Sequence, residues 1–124
     1  MTTSSAQMSD KEAITKAINA YVSGGVSGKS DDMKPAFHEG ATIYGYLGPD
    51  FIGGPIQILF DWNNENGPAT DLESRIANID VEGSIATVRL ELDNWSGHKF
   101  TDMFTLLKTD GEWKIISKVF YLHP

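Results

Sequence analysis

The chain has no cysteine. It therefore has no disulfide framework and no thiolate for nucleophilic or redox chemistry. That absence suits the cytoplasm, where the protein is expected to reside. Positive charge is scarce: 10 Lys and Arg stand against 17 Asp and Glu, a formal net charge of −7. Nucleic acid and anionic membranes both call for a basic face, so neither is expected as a partner. No apolar run approaches the length of a membrane span. Residues 1–9 are Ser/Thr-rich, without a basic start or an apolar stretch, and do not read as a signal peptide. There are 3 histidines and no His/Glu cluster at ligand spacing, so no metal site is expected. Gly45, Gly48, Gly53 and Gly54 lack the glycine-lysine pattern of a phosphate loop. No nucleophile elbow or triad order is visible. No cofactor is expected.

What is present is an apolar fraction of 40% in 124 residues, enough for one globular domain with a real core. Residues 1–8 read as a flexible tail and residues 9–124 as the domain. Ser9 or Asp10 can cap a first helix, along which Ile14, Ala17, Ile18, Tyr21 and Val22 recur at helical spacing. Gly24-Gly25 is expected to end it. Ser30-Asp31-Asp32 can cap a brief second helix through Phe37, with Pro35 near its first turn. Residues 41–47 and 51–52 read as a strand and a short return strand, and Pro55 opens a third helix carrying Ile56, Leu59, Phe60 and Asn63. Strands are expected over residues 72–81, 84–94, 98–109 and 112–121. Helices first and a strand meander second make an α+β plan: a curved antiparallel sheet with about three helices on one face.

Residues 84–94 alternate cleanly. Ala86, Val88, Leu90 and Leu92 form the apolar side and must face the helices. A three-residue loop, Trp95-Ser96-Gly97, pairs Asn94 with His98 and sets Leu92 beside Phe100, Leu90 beside Asp102 and Val88 beside Phe104. Asp102 is thereby placed on the inner face, with Asn94 and His98 nearer the mouth. A two-residue Asp110-Gly111 turn would put Ile115, Ser117, Val119 and Tyr121 inside, and Ile116, Lys118 and Phe120 outside. A bulged loop would reverse that strand. The first register leaves an outer apolar patch of Met103, Ile116 and Phe120, which fits a homodimer.

A carboxyl group on an apolar strand face is costly without a partner or a task. Asp102 is either an acid of raised pKa donating to a ligand oxygen or a carboxylate satisfied inside the core. Tyr21 is either part of the first helix's buried face or a second donor to the ligand. His38 is either a base at the cavity mouth or an anchor of the turn into the first strand. Tyr44, Tyr46, Trp62 and Trp95 can stack on an aromatic ligand or serve as core and rim.

The element order, with Phe37-His38-Glu39-Gly40-Ala41-Thr42-Ile43, Ile52-Gly53-Gly54-Pro55-Ile56, Asp102-x-Phe104 and Asp110-Gly111-x-Trp113-Lys114-Ile115, resembles the nuclear transport factor 2-like superfamily over roughly residues 10–122. The terminal Trp-Lys-Ile-Ile-Ser-Lys-Val-Phe is most similar to its putative lumazine-binding branch, with the SnoaL-type polyketide-cyclase-like branch beside it. The resemblance implies a conical, cystatin-like α+β fold. One superfamily enzyme, ketosteroid isomerase, uses a tyrosine, a neutral aspartic acid and an aspartate base. Tyr21 and Asp102 resemble the first two, but the base position falls near Gly45 and holds no carboxylate. The isomerase reaction is therefore not supported.

The leading expectation is a small-molecule binding protein whose apolar, cone-shaped pocket is polarised by Asp102, with Tyr21 and His38. The walls are expected from Tyr46, Trp62, Asn94, His98, Phe100 and Phe104, and the ligand is a small hydrophobic or aromatic molecule. The alternatives are a cofactor-independent isomerase, cyclase or dehydratase on the same site, or a dimerisation module with a vestigial pocket.

Overall fold

The computed structural model describes residues 3–124, with side chains described from Ser9 onward; Met1 and Thr2 of the expected tail lie outside the described residues. The first helix, α1 (Thr3–Ser27), is longer than its sequence signals. Ser9 and Asp10 lie inside it, and Ile14, Ile18 and Tyr21 form its buried stripe. Gly24-Gly25 does not end it. A Cβ at Gly24 would stand 2.7 Å from Met33 Cβ, and one at Gly25 2.8 Å from the Trp95 ring. These glycines admit close neighbours rather than breaking the helix. The chain turns instead at Gly28, whose amide donates to the Gly24 carbonyl at 3.0 Å. The expected second helix is two 3-10 turns, Ser30–Asp32 and Lys34–Ala36. Pro35 lacks the amide that an α-helix would need there.

Strands β1 (Phe37–Leu47) and β2 (Asp50–Pro55) form a hairpin, and α2 (Gln57–Asn66) follows. The chain then runs through β3 (Glu73–Glu82), β4 (Ile85–Trp95), β5 (His98–Thr109) and β6 (Glu112–Leu122). The sheet order is β2-β1-β6-β5-β4-β3. Every neighbouring pair is antiparallel except β1 and β6, which run parallel. The long excursion through α2 and the meander brings β6 back alongside β1 in the same direction. The result is a curved, unclosed α+β cone.

Two irregularities decide which side chains look inward. The β4–β5 turn is Ser96-Gly97, with Trp95 rather than Asn94 opposite His98. A bulge between Leu92 and Trp95, with Asn94 at φ 60°, restores the expected pairs Leu92–Phe100, Leu90–Asp102 and Val88–Phe104. The β5–β6 turn is Asp110-Gly111, so Thr109 faces Glu112 and Leu106 faces Ile115. Beyond that point Thr105 faces Ser117, which leaves Ile116 as an extra residue. The bulge inverts the rest of β6. Lys118 and Phe120 are buried, while Val119 and Tyr121 are exposed. This corrects both the expected faces of β6 and the expected outer patch: Phe120 belongs to the interior and Ile116 is only partly exposed.

Phe120 pairs with Gly45 across the parallel β1–β6 ladder. A Cβ on Gly45 would lie 2.6 Å from the Phe120 ring and from its carbonyl oxygen. The inner wall here is an aromatic ring laid over bare backbone. Gly45→Ala is expected to cost about 1–3 kcal/mol through overpacking, read as a lower urea midpoint with an unchanged slope. An unaltered midpoint would remove Gly45 from this account.

Candidate active site

The interior is organised around three polar side chains on three elements. α1 projects Tyr21 toward the sheet, where its ring meets Phe37 and Phe104 edge-on at 5.9 and 5.4 Å. β5 carries Asp102 between Phe100 and Phe104 on the inner face. β6, inverted by its bulge, brings in Lys118, which pairs with Ile43 on one side and Phe104 on the other. Lys118 is thus diagonal to Asp102 on the same face, within reach of a long side chain.

The Tyr21 hydroxyl donates to Asp102 Oδ2 at 2.7 Å. Lys118 Nζ lies 3.6 Å from Asp102 Oδ1, an ion-pair contact beyond hydrogen-bond reach. Oδ1 has no hydrogen-bond partner among the described residues. Both side chains are withdrawn from water, at 6% exposure for Lys118 and 1% for Asp102. Nζ also lies over the rings of Phe120 and Tyr21, at 4.7 and 5.6 Å from their centroids.

Burial governs the electrostatics. Desolvation pushes the Asp102 carboxyl above its ordinary pKa, against the pull of Lys118 and the Tyr21 hydrogen bond. Desolvation likewise pushes the Lys118 amine below its ordinary value, against the pull of Asp102. Tyr21 is held well above the usual phenol value, first by burial and then by the Asp102 charge. Ring faces return roughly 0.5–2 kcal/mol to a cation, whereas burying an ion costs several kcal/mol. Burial thus weakens the charged form of both partners, narrowing the gap between the carboxyl and the amine.

Lys118 and Tyr21 help line a hollow of about 60 Å³ that opens to solvent at its mouth. Its other walls are apolar: Ile43 and Leu47 of β1, Ile52 of β2, Ile58, Leu59 and Trp62 of α2, and Trp95, Phe100 and Phe120. Asp102 is not on this wall; it stands behind Lys118 and Tyr21. The Trp95 indole N–H is buried without a hydrogen-bond partner among the described residues.

Of the residues singled out from sequence, Tyr21, Trp62, Trp95 and Phe100 line the hollow, Asp102 holds the Tyr21 hydroxyl, and Phe104 packs against Tyr21. Tyr44 is exposed on the outer face, and the remaining four also lie elsewhere. His38 accepts from the Gly40 amide at 2.9 Å, local to the start of β1. Tyr46 is on the outer face against Phe51, since inward and outward residues alternate along β1 from Ile43. Asn94 and His98 are exposed at the β4–β5 turn, where the bulge spends the inward position on Trp95. Sequence reasoning missed Lys118. Its signal was a parity conflict: Trp113 and Ile115 cannot share a regular strand face with Phe120. Among the described residues, no group of three or more His, Cys, Asp or Glu could hold a metal ion.

A cone of this form, hollow beneath its helices, defines a nuclear transport factor 2-like protein. Residues 9–121 match the model of the family described as "Putative lumazine-binding", and the chain belongs to that family. It is 31% identical over 117 residues to aldolase FrzH of Cladobotryum sp, covering 94% of each chain. An NTF2-like protein of unknown function from Methylobacillus flagellatus KT is 47% identical with a TM-score of 0.90, covering 94% of each chain. One from Shewanella baltica OS155 is 39% identical, also at 0.90, covering 94% of this chain and 96% of its own. A ketosteroid isomerase-like protein from Erwinia carotovora atroseptica, 15% identical with a TM-score of 0.69 over 91% of this chain and 95% of its own, shares the fold.

The buried pair makes a signed pH prediction. Amine plus acid hold the same number of protons as ammonium plus carboxylate, so the intact pair adds little slope between about pH 4 and about pH 8. Lys118→Met leaves Asp102 alone, with its folded pKa raised further. Stability contributed by a raised carboxyl is present below its unfolded pKa and is lost as pH rises through the folded value. The variant is expected to match the parent near pH 4 and to fall behind toward about pH 8, by about 1.4 kcal/mol per unit of pKa displacement. Parallel urea-midpoint curves for the two proteins across that range would refute the coupling.

Proposed function

We propose that the chain is a small-molecule binding protein that activates an apolar carbonyl compound, and that it is an enzyme needing no cofactor. One observation carries this reading: a buried lysine lining an apolar hollow, its amine beside a carboxyl group that a tyrosine holds. The sequence offered an acid without a base. The inverted end of β6 supplies the missing basic group. A neutral amine takes a proton from carbon next to a carbonyl, and the neighbouring carboxyl exchanges that proton with it. The walls favour a hydrophobic or aromatic skeleton, with Trp62, Trp95, Phe100 and Phe120 offering ring contacts. The relative named as an aldolase aligns over nearly the whole chain, and aldol chemistry begins with such a proton transfer. Among the described residues, no helix is long and apolar enough to cross a membrane.

The protein is also proposed to be a homodimer. Tyr44, Tyr46, Phe51, Met103, Val119 and Tyr121 are exposed large apolar residues of adjacent strands β2, β1, β6 and β5. This patch replaces the one expected through Ile116 and Phe120. Sedimentation should give a dimer for the parent and a monomer for Val119→Glu. A parent that sediments as a monomer at all concentrations would exclude the dimer.

The activity is tested by deuterium exchange of cyclohexanone and benzylacetone in deuterium oxide, followed by proton NMR. The protein is expected to speed loss of the hydrogens next to the carbonyl. Lys118→Met should reduce the enhancement by about a hundredfold, a typical general-base contribution. A parent rate equal to that of buffer for both ketones would overturn the carbonyl reading.

A further inference from the structure

We propose that Lys118 acts as a nucleophile, its Nζ condensing with the carbonyl carbon of an aldehyde or ketone in the hollow to form an iminium that faces Asp102. The inference rests on the carbonyl-binding reading above and adds a covalent step to it. Three geometric facts support it. Lys118 lines the hollow and is buried from the outer surface, with Nζ over the rings of Phe120 and Tyr21, two residues that line the same hollow. Asp102 Oδ1, fully buried, has no hydrogen-bond partner among the described residues and lies 3.6 Å from Nζ. An oxygen with unused acceptor capacity at that spot suits a positive nitrogen that forms and disappears during turnover. Nζ lies over the rings of Phe120 and Tyr21, apolar faces that disfavour water as a competitor for the carbonyl.

The step balances with groups already present. The reacting form is the one in which Lys118 carries an amine and Asp102 a carboxylic acid. The nitrogen lone pair forms the C–N bond while the carbonyl π pair moves to oxygen. One proton passes from nitrogen to that oxygen, giving a neutral carbinolamine. The Asp102 proton is then transferred to the hydroxyl, which leaves as water while nitrogen forms the C=N bond. The products are an iminium bearing one hydrogen, a carboxylate and one water. No oxidant, reductant or further reactant is needed. The carboxylate left behind is held by the Tyr21 hydroxyl at Oδ2 and faces the new cation with Oδ1. Tyr21 is thus a positioning residue that acts through Asp102. A desolvated amine is the usual form of a Schiff-base lysine, and the lowered proton affinity of Lys118 agrees with this role.

The test traps the iminium. The full-length protein is incubated near neutral pH with cyclohexanone and sodium cyanoborohydride, and modified peptides are mapped by mass spectrometry. Saturation-transfer NMR follows cyclohexanone binding in parallel, without the reductant. Lys118 is expected to carry the cyclohexyl adduct about tenfold faster than the exposed Lys16. Asp102→Asn should still bind the ketone but form the adduct at least about tenfold more slowly, because the proton donor is gone. Ketone binding with Lys118 modified no faster than Lys16 would overturn the covalent step and leave the binding reading in place. Absence of both binding and adduct would overturn the two together. Lys118→Met, checked for a native-like circular dichroism spectrum, should bind the ketone with no adduct on β6; an adduct that persists there would move the nucleophile elsewhere and defeat the proposal.

Discussion

Burial of one amine beside one carboxyl is the constraint around which the interior is arranged. Either group alone would be an uncompensated charge in an apolar core. Together they are neutral overall, whichever atom holds the proton. The cost that remains is met unevenly. Asp102 Oδ2 receives a strong hydrogen bond from Tyr21, while Oδ1 receives only the nearby Nζ. A purely structural pair would be expected to close that last contact into a hydrogen bond. The pair instead leaves acceptor capacity unused at the back of a cavity.

The cavity itself follows from where the fold places bulk and where it withholds it. Glycines at 24 and 25 let Met33 and Trp95 press against α1, and Gly45 lets Phe120 lie flat on β1. Those close contacts pull aromatic rings to the periphery of the hollow, where they brace one another edge to edge. Trp95 meets Phe100 at 6.3 Å, and Phe100 meets Phe120 at 6.1 Å. α2 closes the side through Ile58, Leu59 and Trp62. Rigid rings holding a rim apart can preserve a space that flexible aliphatic chains would fill.

The architecture was legible because long strands carry strong period-two signals and their turns carry glycine. The clean alternation from Ala86 to Leu92 specifies the central pairs, including Leu90 with Asp102, even though the adjoining turn is one residue shorter than its sequence suggests. There a bulge at Asn94 compensated for a shorter loop, so two local differences cancelled. No such cancellation occurred in β6. Its bulge, at Ile116, lies between Ile115 and Ser117, where no residue's chemistry marks an irregularity. General expectation also favours lysine outside, which agreed with the regular register and concealed the conflict between Trp113 and Phe120. The rim residues Tyr46, Asn94 and His98 were placed by distance along the strands. Strand faces and turn geometry, which decide their direction, were not resolved by the pattern.

The position of Lys118 changes what the neighbouring acid can do. With Tyr21 and Asp102 alone, the site would resemble two donors converging on a ligand oxygen, and catalysis would need a base elsewhere. With Lys118 in front, Asp102 is not among the residues that line the hollow, and any proton it gives up would go by way of the amine. Tyr21 is likewise committed, since its hydroxyl donates to Oδ2. The acid and the phenol thus contact each other and the lysine rather than converging as a pair on the hollow. A single-residue bulge is sufficient to turn one arrangement into the other, because in a strand each added residue exchanges the two faces. Chemistry on this cone is therefore set by the parity of its last strand as much as by the identity of the residues on it.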